Sequence, residues 1–317
     1  MKQKPDGKVL VGFDTSDDAG VYRLSDELCL IQTADFITPI GDDPFLFGQV
    51  AASNALSDIY AMGGKPISAI NLCCFPPQGI EKKYLTEILQ GGLDMLEKAG
   101  ASLIGGHTIK DNELKYGLSV NGIARVEEIK RNSSARPGDK LILTKCIGTG
   151  VVIQAIKQKV TPESSLSTIA ESMTALNEAA CRLMLKHNAS ACTDISGFGL
   201  AGHGWEMAKG SGVGIRINAR SIPHFPLSLE LLKKDVKIGM NDAIREYVGK
   251  NISVGKNVSK EYEALLFDPQ TSGGLLISVA SPSAEDLLAD LHQSGVKQAR
   301  IIGEVLQSRP GLEITSN

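Results

Sequence analysis

Residues 33–66 read TADFITPIGDDPFLFGQVAASNALSDIYAMGGKP, and this stretch decides how the first half of the chain folds. The apolar pattern from Phe45 to Met62 predicts a helix, and Gly63-Gly64 before a proline is a stop signal at its C-terminal end. Because few positions of this helix are polar, it is predicted to be mostly buried. A polar pair on such a helix therefore needs a reason to be there.

Asn54 and Asp58 form that polar pair. They are four residues apart, so they share one helix face about a turn from each other. Two interpretations are open: a local hydrogen bond or cap, and a shared metal or phosphate site. Asp58 lies near the helix end with other acids close in sequence, and this favours the shared site.

Acidic side chains stand at or beside the ends of apolar runs in four places. Carboxylates gathered in this way repel one another unless a cation lies between them, although an isolated Asp-x-x-Asp-Asp is also typical of a solvated turn. Mg²⁺ prefers oxygen ligands and usually binds one or two carboxylates plus substrate phosphates. The pattern therefore predicts an enzyme that binds a polyphosphate through metal ions. The residues lie in GFDTSDD, TADF, NALSD and CTDISGFG: Asp14, Asp17, Asp18, Asp35, Asp58 and Asp194.

Strand and helix patterns alternate in both halves, which predicts an α/β or α+β protein. The 317 residues fit two domains of about 150 each. The polar stretch VEEIKRNSSARPGDK is the predicted boundary, so we expect an N-terminal domain over residues 1–130 and a C-terminal domain over residues 137–317. In the second half, one long helix is predicted over about 164–188, and about 222–258 has no clear pattern.

The sequence GGHT, residues 105–108, is interpreted as a turn that follows a strand. Its glycines would let backbone N–H groups approach an anion, and the side chains of His107 and Thr108 could add hydrogen bonds. An ordinary tight turn is the alternative. TKCIGTG lacks the GK[ST] of a phosphate loop, so its glycines are expected to form a strand-to-helix turn.

Two further glycine-rich stretches follow in the second half. In TDISGFGLAGHG, Asp194 ends a strand and the glycines open a helix whose N-terminus is suited to anion contact. His203 and Trp205 are expected to be packing residues. In DPQTSGG, Asp268 is either structural or linked to phosphate binding.

Bulk composition excludes several classes of protein. A net charge of −3 gives no basic surface for nucleic acid. The apolar run near the start is too short for a signal peptide, and no run is long enough for a membrane span. The six cysteines lack CxxC spacing and are expected to be core thiols of a cytoplasmic protein. None of them, and no serine, stands in an activated arrangement.

Five motifs together resemble those of selenophosphate synthetase (selenide, water dikinase), and the resemblance runs almost the whole length of the chain. NALSDIYAMGG also recurs in a wider superfamily with aminoimidazole ribonucleotide synthetase, thiamine-monophosphate kinase and a hydrogenase maturation factor. The TDISGFGLAGH, DPQTSGGLL and GGHT forms favour the selenium enzyme. The motifs are GFDTSDDAGVY, TADFITPIGDDPFLFGQVAASNALSDIYAMGGKP, IGGHTI, TDISGFGLAGH and LLFDPQTSGGLL.

The resemblance implies a two-domain α+β fold of the aminoimidazole ribonucleotide synthetase type, with the N-terminal sheet forming a barrel across a homodimer. It implies that ATP, selenide and water give selenophosphate, AMP and phosphate. Mg²⁺ is the implied cofactor, K⁺ is a further candidate, and Asn54 matches a neighbour of a cation site. The residues that match Mg²⁺ ligands are Asp18, Asp58 and Asp194. Those that match ATP-phosphate contacts are Thr15, Ser16, Asp17, Asp35 and again Asp58, with Gly106, His107 and Thr108 donated by the partner subunit.

One part of the family pattern is not matched. Family members begin with a glycine-rich segment that holds a catalytic cysteine or selenocysteine and then a lysine, and the resemblance places these upstream of Met1. We therefore expect this chain, trimmed or read from a downstream start, to bind Mg·ATP but to make little selenophosphate. The alternatives are another ATP-dependent enzyme of the superfamily and a non-catalytic nucleotide-binding paralogue.

Overall fold

The computed structural model describes residues 6–236 and 238–316, and it contains two β-sheets. The first sheet has six strands in the order β1-β2-β3-β6-β4-β5, with only β4 and β5 parallel to each other. Its strands are β1 (Val9–Val11), β2 (Gly20–Arg23), β3 (Leu28–Ile37), β4 (Lys65–Phe75), β5 (Ser102–Lys110) and β6 (Lys115–Arg125). Two helices accompany them, α1 (Pro44–Ala61) and α2 (Lys82–Lys98).

Helix α1 confirms the helix predicted from residues 33–66. Its first turn is capped by the Asp43 carboxylate, which accepts a hydrogen bond from the Leu46 N–H at 3.0 Å. Helix α2 approaches α1 closely because glycines lie at the contact. A Cβ built on Gly48 would lie 2.0 Å from the Ile88 carbonyl oxygen, and one on Gly91 would lie 2.1 Å from the Phe45 oxygen. Helix α1 is therefore enclosed between α2 and strands β3 and β6.

The second sheet has seven strands in the order β10-β13-β9-β12-β7-β11-β8, and β8 is an edge strand. The strands are β7 (Asp139–Leu143), β8 (Ala191–Asp194), β9 (Gly214–Asn218), β10 (Ile252–Val254), β11 (Leu275–Ala280), β12 (Arg300–Leu306) and β13 (Gly311–Thr315). The helices are α3 (Thr149–Lys157), α4 (Ser167–Thr174), α5 (Glu178–Lys186), α6 (Gly199–Ser211), α7 (Pro226–Leu232), α8 (Asn241–Val248), α9 (Lys260–Leu266) and α10 (Ser281–Gln293).

The single helix predicted over about 164–188 is wrong, because the chain leaves the helical path between α4 and α5. Ala175 is extended there, with φ −70° and ψ 123°. The buried Asn177 amide donates to Ser57 Oγ and to the Gly273 carbonyl, both at 2.9 Å. Strands β2 and β13 were not predicted, and the unpatterned region 222–258 contains α7, α8 and β10.

One cluster of buried side chains joins the two sheets. It includes Leu56 and Ile59 of α1 together with Cys192 of β8 and Ile277 of β11. The α+β class is confirmed, whereas the domain limits 1–130 and 137–317 and the barrel across a dimer stay predictions. Within residues 6–236 and 238–316, no helix is both long and apolar enough to span a bilayer.

Candidate functional site

Four carboxylates from different elements converge where α1 meets β8. The one contributed by the second sheet, Asp194, acts electrostatically on the other three and raises the pKa of each. The four belong to the loop after β1, to β3, to α1 and to the end of β8: Asp18, Asp35, Asp58 and Asp194. The structure thus brings together the three predicted metal ligands and one predicted nucleotide contact.

A hydroxyl group from a neighbouring element holds Asp18, and another holds Asp58. Thr193 Oγ1 donates to Asp18 Oδ1 at 2.7 Å, and Thr33 Oγ1 donates to Asp58 Oδ2 at 2.5 Å. The sequence analysis missed both threonines, although Thr193 directly precedes Asp194 and Thr33 lies two residues before Asp35 on the same face of β3. These bonds hold the two carboxylates in place.

Burial is the main cause of the raised pKa values. For Asp18 and Asp58, loss of solvent raises the pKa well above its usual range, and the charge of Asp194 adds to this. For Asp194, burial again raises the pKa, while His203, a hydrogen bond from Ser57 and the charge of Lys145 oppose it. The cluster is therefore short of positive charge.

Two carboxylate oxygens of the cluster fit a cation. Asp18 Oδ2 and Asp194 Oδ2 are buried and accept no hydrogen bond, which is the situation that a cation relieves. Across the described residues, no three acidic, histidine or cysteine side chains lie close enough to hold one ion by themselves. This donor set suits Mg²⁺, which takes one or two carboxylates and completes its sphere with substrate phosphates and water.

Asn54 connects the two sheets instead of bonding to Asp58. Its Nδ2 donates to Asp35 Oδ2, and its Oδ1 accepts from the Ser272 N–H at 2.7 Å. The interpretation as a local hydrogen bond within the helix is therefore wrong for this pair. Asn54 instead fixes Asp35 at the edge of the cluster.

The loop before β2 carries Thr15, Ser16 and Asp17, and it is anchored by Asn132. The backbone N–H of Asn132 donates to Asp17 Oδ1 at 2.8 Å, and its side chain donates to the Ser16 carbonyl at 2.7 Å. Thr15 Oγ1 donates to the other oxygen of Asp17 at 2.5 Å. Asp17 also raises the pKa of Asp18, so this loop borders the cluster. Asp14 is exposed.

Gly106, His107 and Thr108 lie apart from the cluster within one chain. They are exposed on β5, the edge strand of the first sheet, so the turn interpretation of GGHT is wrong. Gly106 and Asp35 occupy one row across the sheet, three strands apart. At about 4.8 Å per strand, their backbones are separated by roughly 14 Å.

Lys145 is a buried residue of the site that the sequence analysis missed. Its Nζ donates to the Ala175 carbonyl at 2.6 Å and to the Ser272 carbonyl at 3.0 Å. Burial lowers the pKa of Lys145 to about 7, and Asp194 opposes this shift. The sequence TKCIGTG did contain a signal for this residue, because a lysine between a buried strand and a glycine turn is an unusual position for a charged side chain.

Asp268 lies beside the first turn of α3, and the choice between a structural role and a role in phosphate binding stays open. It is fully buried, and Gln270 Nε2 donates to Asp268 Oδ2 at 2.9 Å. Burial raises the pKa of Asp268 to about 7. His203, expected to be a packing residue, instead has polar contacts on both ring nitrogens.

Comparisons with known proteins place the chain in a family. It matches two family models: AIR synthase related protein, N-terminal domain, over residues 16–124, and AIR synthase related protein, C-terminal domain, over residues 136–314. In solved structures, the fold is similar to that of hydrogenase maturation protein HypE in complex with ATP, with a TM-score of 0.65 and 17% identity over 90% of this chain and 82% of that one.

Curated relatives are much more similar in sequence. Selenide, water dikinase of Pelobacter propionicus is 47% identical over 95% of this chain and 87% of its own length. The protein of the same name from Clostridioides difficile is 47% identical over 94% of this chain and 85% of its own length. Both family models and these relatives agree, so the chain belongs to the selenide, water dikinase family of AIR synthase related proteins.

Proposed function

In place of the low turnover expected from the sequence, we propose that the chain itself catalyses ATP-dependent formation of selenophosphate from selenide and water, with release of AMP and phosphate. The observation that carries the proposal is the convergence of Asp18, Asp58 and Asp194, two of which keep a buried oxygen without a partner. The choice of reaction is supported by relatives named selenide, water dikinase. ATP as the nucleotide is supported by the HypE complex, which has the same fold.

We assign the Mg²⁺ ions to Asp18, Asp58 and Asp194. Bound there, Mg²⁺ would neutralise phosphate charge, which is most of what phosphoryl transfer requires of an enzyme. Thr193 and Thr33 hold two of these carboxylates in place. The buried ammonium group of Lys145 offsets part of the charge of Asp194.

We assign the nucleotide phosphates to the loop of Thr15, Ser16 and Asp17, together with Asp35 and Asp58. The Asn132 bonds fix that loop, and Asn54 fixes Asp35, so both lie ready at the border of the metal site. A K⁺ ion beside Asn54 remains a candidate.

We infer that the chain works as a homodimer, in which Gly106, His107 and Thr108 reach the partner's nucleotide. Strand β5 is an open sheet edge that exposes large apolar side chains, Ile104 at 65% and Ile109 at 47%. An exposed apolar strand edge of this kind can pair with the same edge of a second copy of the chain. The free thiols of the chain fit a reducing cytoplasm.

Calorimetry of Mg·ATP binding tests the site assignment. Asp18→Ala and Asp194→Ala should each abolish Mg²⁺-dependent nucleotide binding, whereas Asp26→Ala, in an exposed turn, should bind like the wild type. Unchanged affinity in the first two would refute the metal assignment.

Phosphorus NMR tests the reaction, because selenophosphate should appear only with selenide and together with AMP. An ATP-dependent enzyme acting on a phosphorylated small molecule would instead release ADP and ignore selenide.

A further inference from the structure

Four side chains are hydrogen-bonded in series beside the acidic cluster. Ser196 Oγ is 3.2 Å from His203 Nε2, and His203 Nδ1 is 3.1 Å from Glu206 Oε2. The hydroxyl of Tyr247 donates to Glu206 Oε1 at 3.0 Å. In this order the glutamate orients the ring, and Nε2 of the ring faces the serine hydroxyl.

The fold buries the two middle members of this series and leaves both of its ends, Ser196 and Tyr247, accessible. His203 and Glu206 are one turn apart on α6, with side chains only 9% exposed. The Phe198 ring packs edge-on against the imidazole at 5.9 Å and beside Tyr247 at 5.1 Å. Ser196, in the turn before α6, is half-buried. A small polar molecule at the site could therefore reach the serine hydroxyl.

Two observations place this series of side chains next to the metal-site carboxylates. Ser196 follows Asp194 by two residues. The Ser196 carbonyl accepts the Gln270 N–H at 2.9 Å, in the same loop whose Ser272 N–H donates to Asn54 beside Asp35. The imidazole thus faces Glu206 on its own helix and Ser196 in the turn after β8.

We propose that Ser196, His203 and Glu206 form the proton relay that activates water in the hydrolytic half of the reaction. The inference rests on the proposed function, which consumes one water and leaves AMP. The water oxygen forms a bond to the β-phosphorus of bound ADP, and the bond from that phosphorus to the bridging oxygen breaks. The water proton moves to Ser196 Oγ as the serine proton moves to His203 Nε2. The bridging oxygen leaves on AMP, and Glu206 pairs with the imidazolium until it releases the proton.

The chemistry of the neighbouring groups supports this division of roles. A hydroxyl beside an imidazole whose other nitrogen bonds to a carboxylate is the arrangement that removes a proton from an oxygen nucleophile. The cluster carboxylates are assigned to Mg²⁺, and the ammonium group of Lys145 donates to two carbonyls. Ser196 is the group that would touch the water, whereas Glu206 is a positioning residue.

The test measures how nucleotide product divides between ADP and AMP. With ATP, selenide and Mg²⁺, the Ser196→Ala, His203→Gln and Glu206→Gln variants should form AMP at least about tenfold more slowly, since a general base contributes roughly 10²–10⁴-fold. ADP should accumulate, because the first phosphoryl transfer does not use the relay. Ser196→Thr keeps a hydroxyl and should restore AMP formation.

Two controls separate this role from a structural one. His292→Gln changes an exposed histidine of α10 and should leave the ratio of ADP to AMP unchanged. Thermal unfolding of each variant establishes that it is folded, and the half-buried Ser196 is the position most tolerant of change. An unaltered ratio in folded variants, or a parallel loss of ADP and AMP, would overturn the relay alone. Absence of selenophosphate in the wild type would overturn the proposed function and the relay with it.

Discussion

Replacing Asp58 by asparagine should make the metal-free protein more stable. Burial and the charges of Asp194 and Asp18 raise the pKa of Asp58 well above its usual value of 3.8. Asparagine removes that charge and keeps a side-chain oxygen that can accept the hydroxyl of Thr33. The variant therefore relieves repulsion without leaving the threonine unpaired.

The pH dependence of this gain has a definite sign. The unfolded chain releases the Asp58 proton near pH 3.8, whereas the folded protein retains it to higher pH. In that window the folded state binds more protons, so wild-type stability falls as pH rises and stays lost above the folded pKa. Asparagine does not titrate, so its advantage should be small at pH 4 and largest at pH 8.

The magnitude follows from Coulomb's law. At an effective dielectric constant of about 20, two charges roughly 6 Å apart repel by about 3 kcal/mol. The hydrogen bond from Thr33 to Asp58 offsets part of this repulsion, so we expect a net gain of about 2 kcal/mol at pH 8, or about 2–5 °C in Tm. Saturating Mg²⁺ should reverse the order, because a ligand at 100 times its Kd stabilises the wild type by about 2.7 kcal/mol.

Thermal unfolding in EDTA at pH 4 and pH 8, and then with Mg²⁺ and ATP, measures both effects. Asp26→Asn, in the exposed turn between β2 and β3, is the matched control. It should unfold at the wild-type temperature in EDTA at both pH values and with Mg²⁺ and ATP. A variant that is less stable than the wild type in EDTA at pH 8, or that gains as much from Mg·ATP, would refute the reasoning.

Two other substitutions test the fold and the assembly. Gly91→Ala should lower the free energy of unfolding in urea by about 1–3 kcal/mol, because the new Cβ would lie 2.1 Å from backbone at the α1–α2 contact. Gly239→Ala is the control and should leave the stability unchanged, because a Cβ there has nothing within 4 Å. Ile104→Glu on β5 should halve the mass measured by light scattering, because it places a charge on the predicted dimer edge. Val160→Glu, at a position exposed at 46% in the loop after α3, should leave the mass unchanged. A dimer that survives Ile104→Glu would exclude pairing through this edge.

Local signals were enough to predict α1. Its apolar pattern and the Gly63-Gly64 stop before Pro66 lie within about twenty residues, so no distant contact is needed to specify it. The break between α4 and α5 is different. It depends on Asn177 bonding to Ser57 and Gly273, residues 120 and 96 positions away, and no window of sequence contains both partners.

The site shows the same division between local and distant information. Acids at strand ends could be recognised one by one, but the bond from Thr193 to Asp18 spans 175 residues. GGHT was interpreted as a turn because of its glycines, yet pairing with β4 makes it a strand. The contact of His203 with Ser196 depends on how the turn after β8 enters α6, whereas its contact with Glu206 follows from their spacing of three residues on that helix.

One face of α1 explains why the site needs both halves of the chain. Asn54, Ser57 and Asp58 lie within about one turn, where positions three and four apart are neighbours. Asn54 holds Asp35 of the first sheet and the backbone of Ser272 before β11, while Ser57 accepts a hydrogen bond from Asn177 of the second half. The first half supplies three carboxylates, and the second supplies the charge that raises the pKa of all three. The need for a cation therefore arises only when the two sheets pack through their common core.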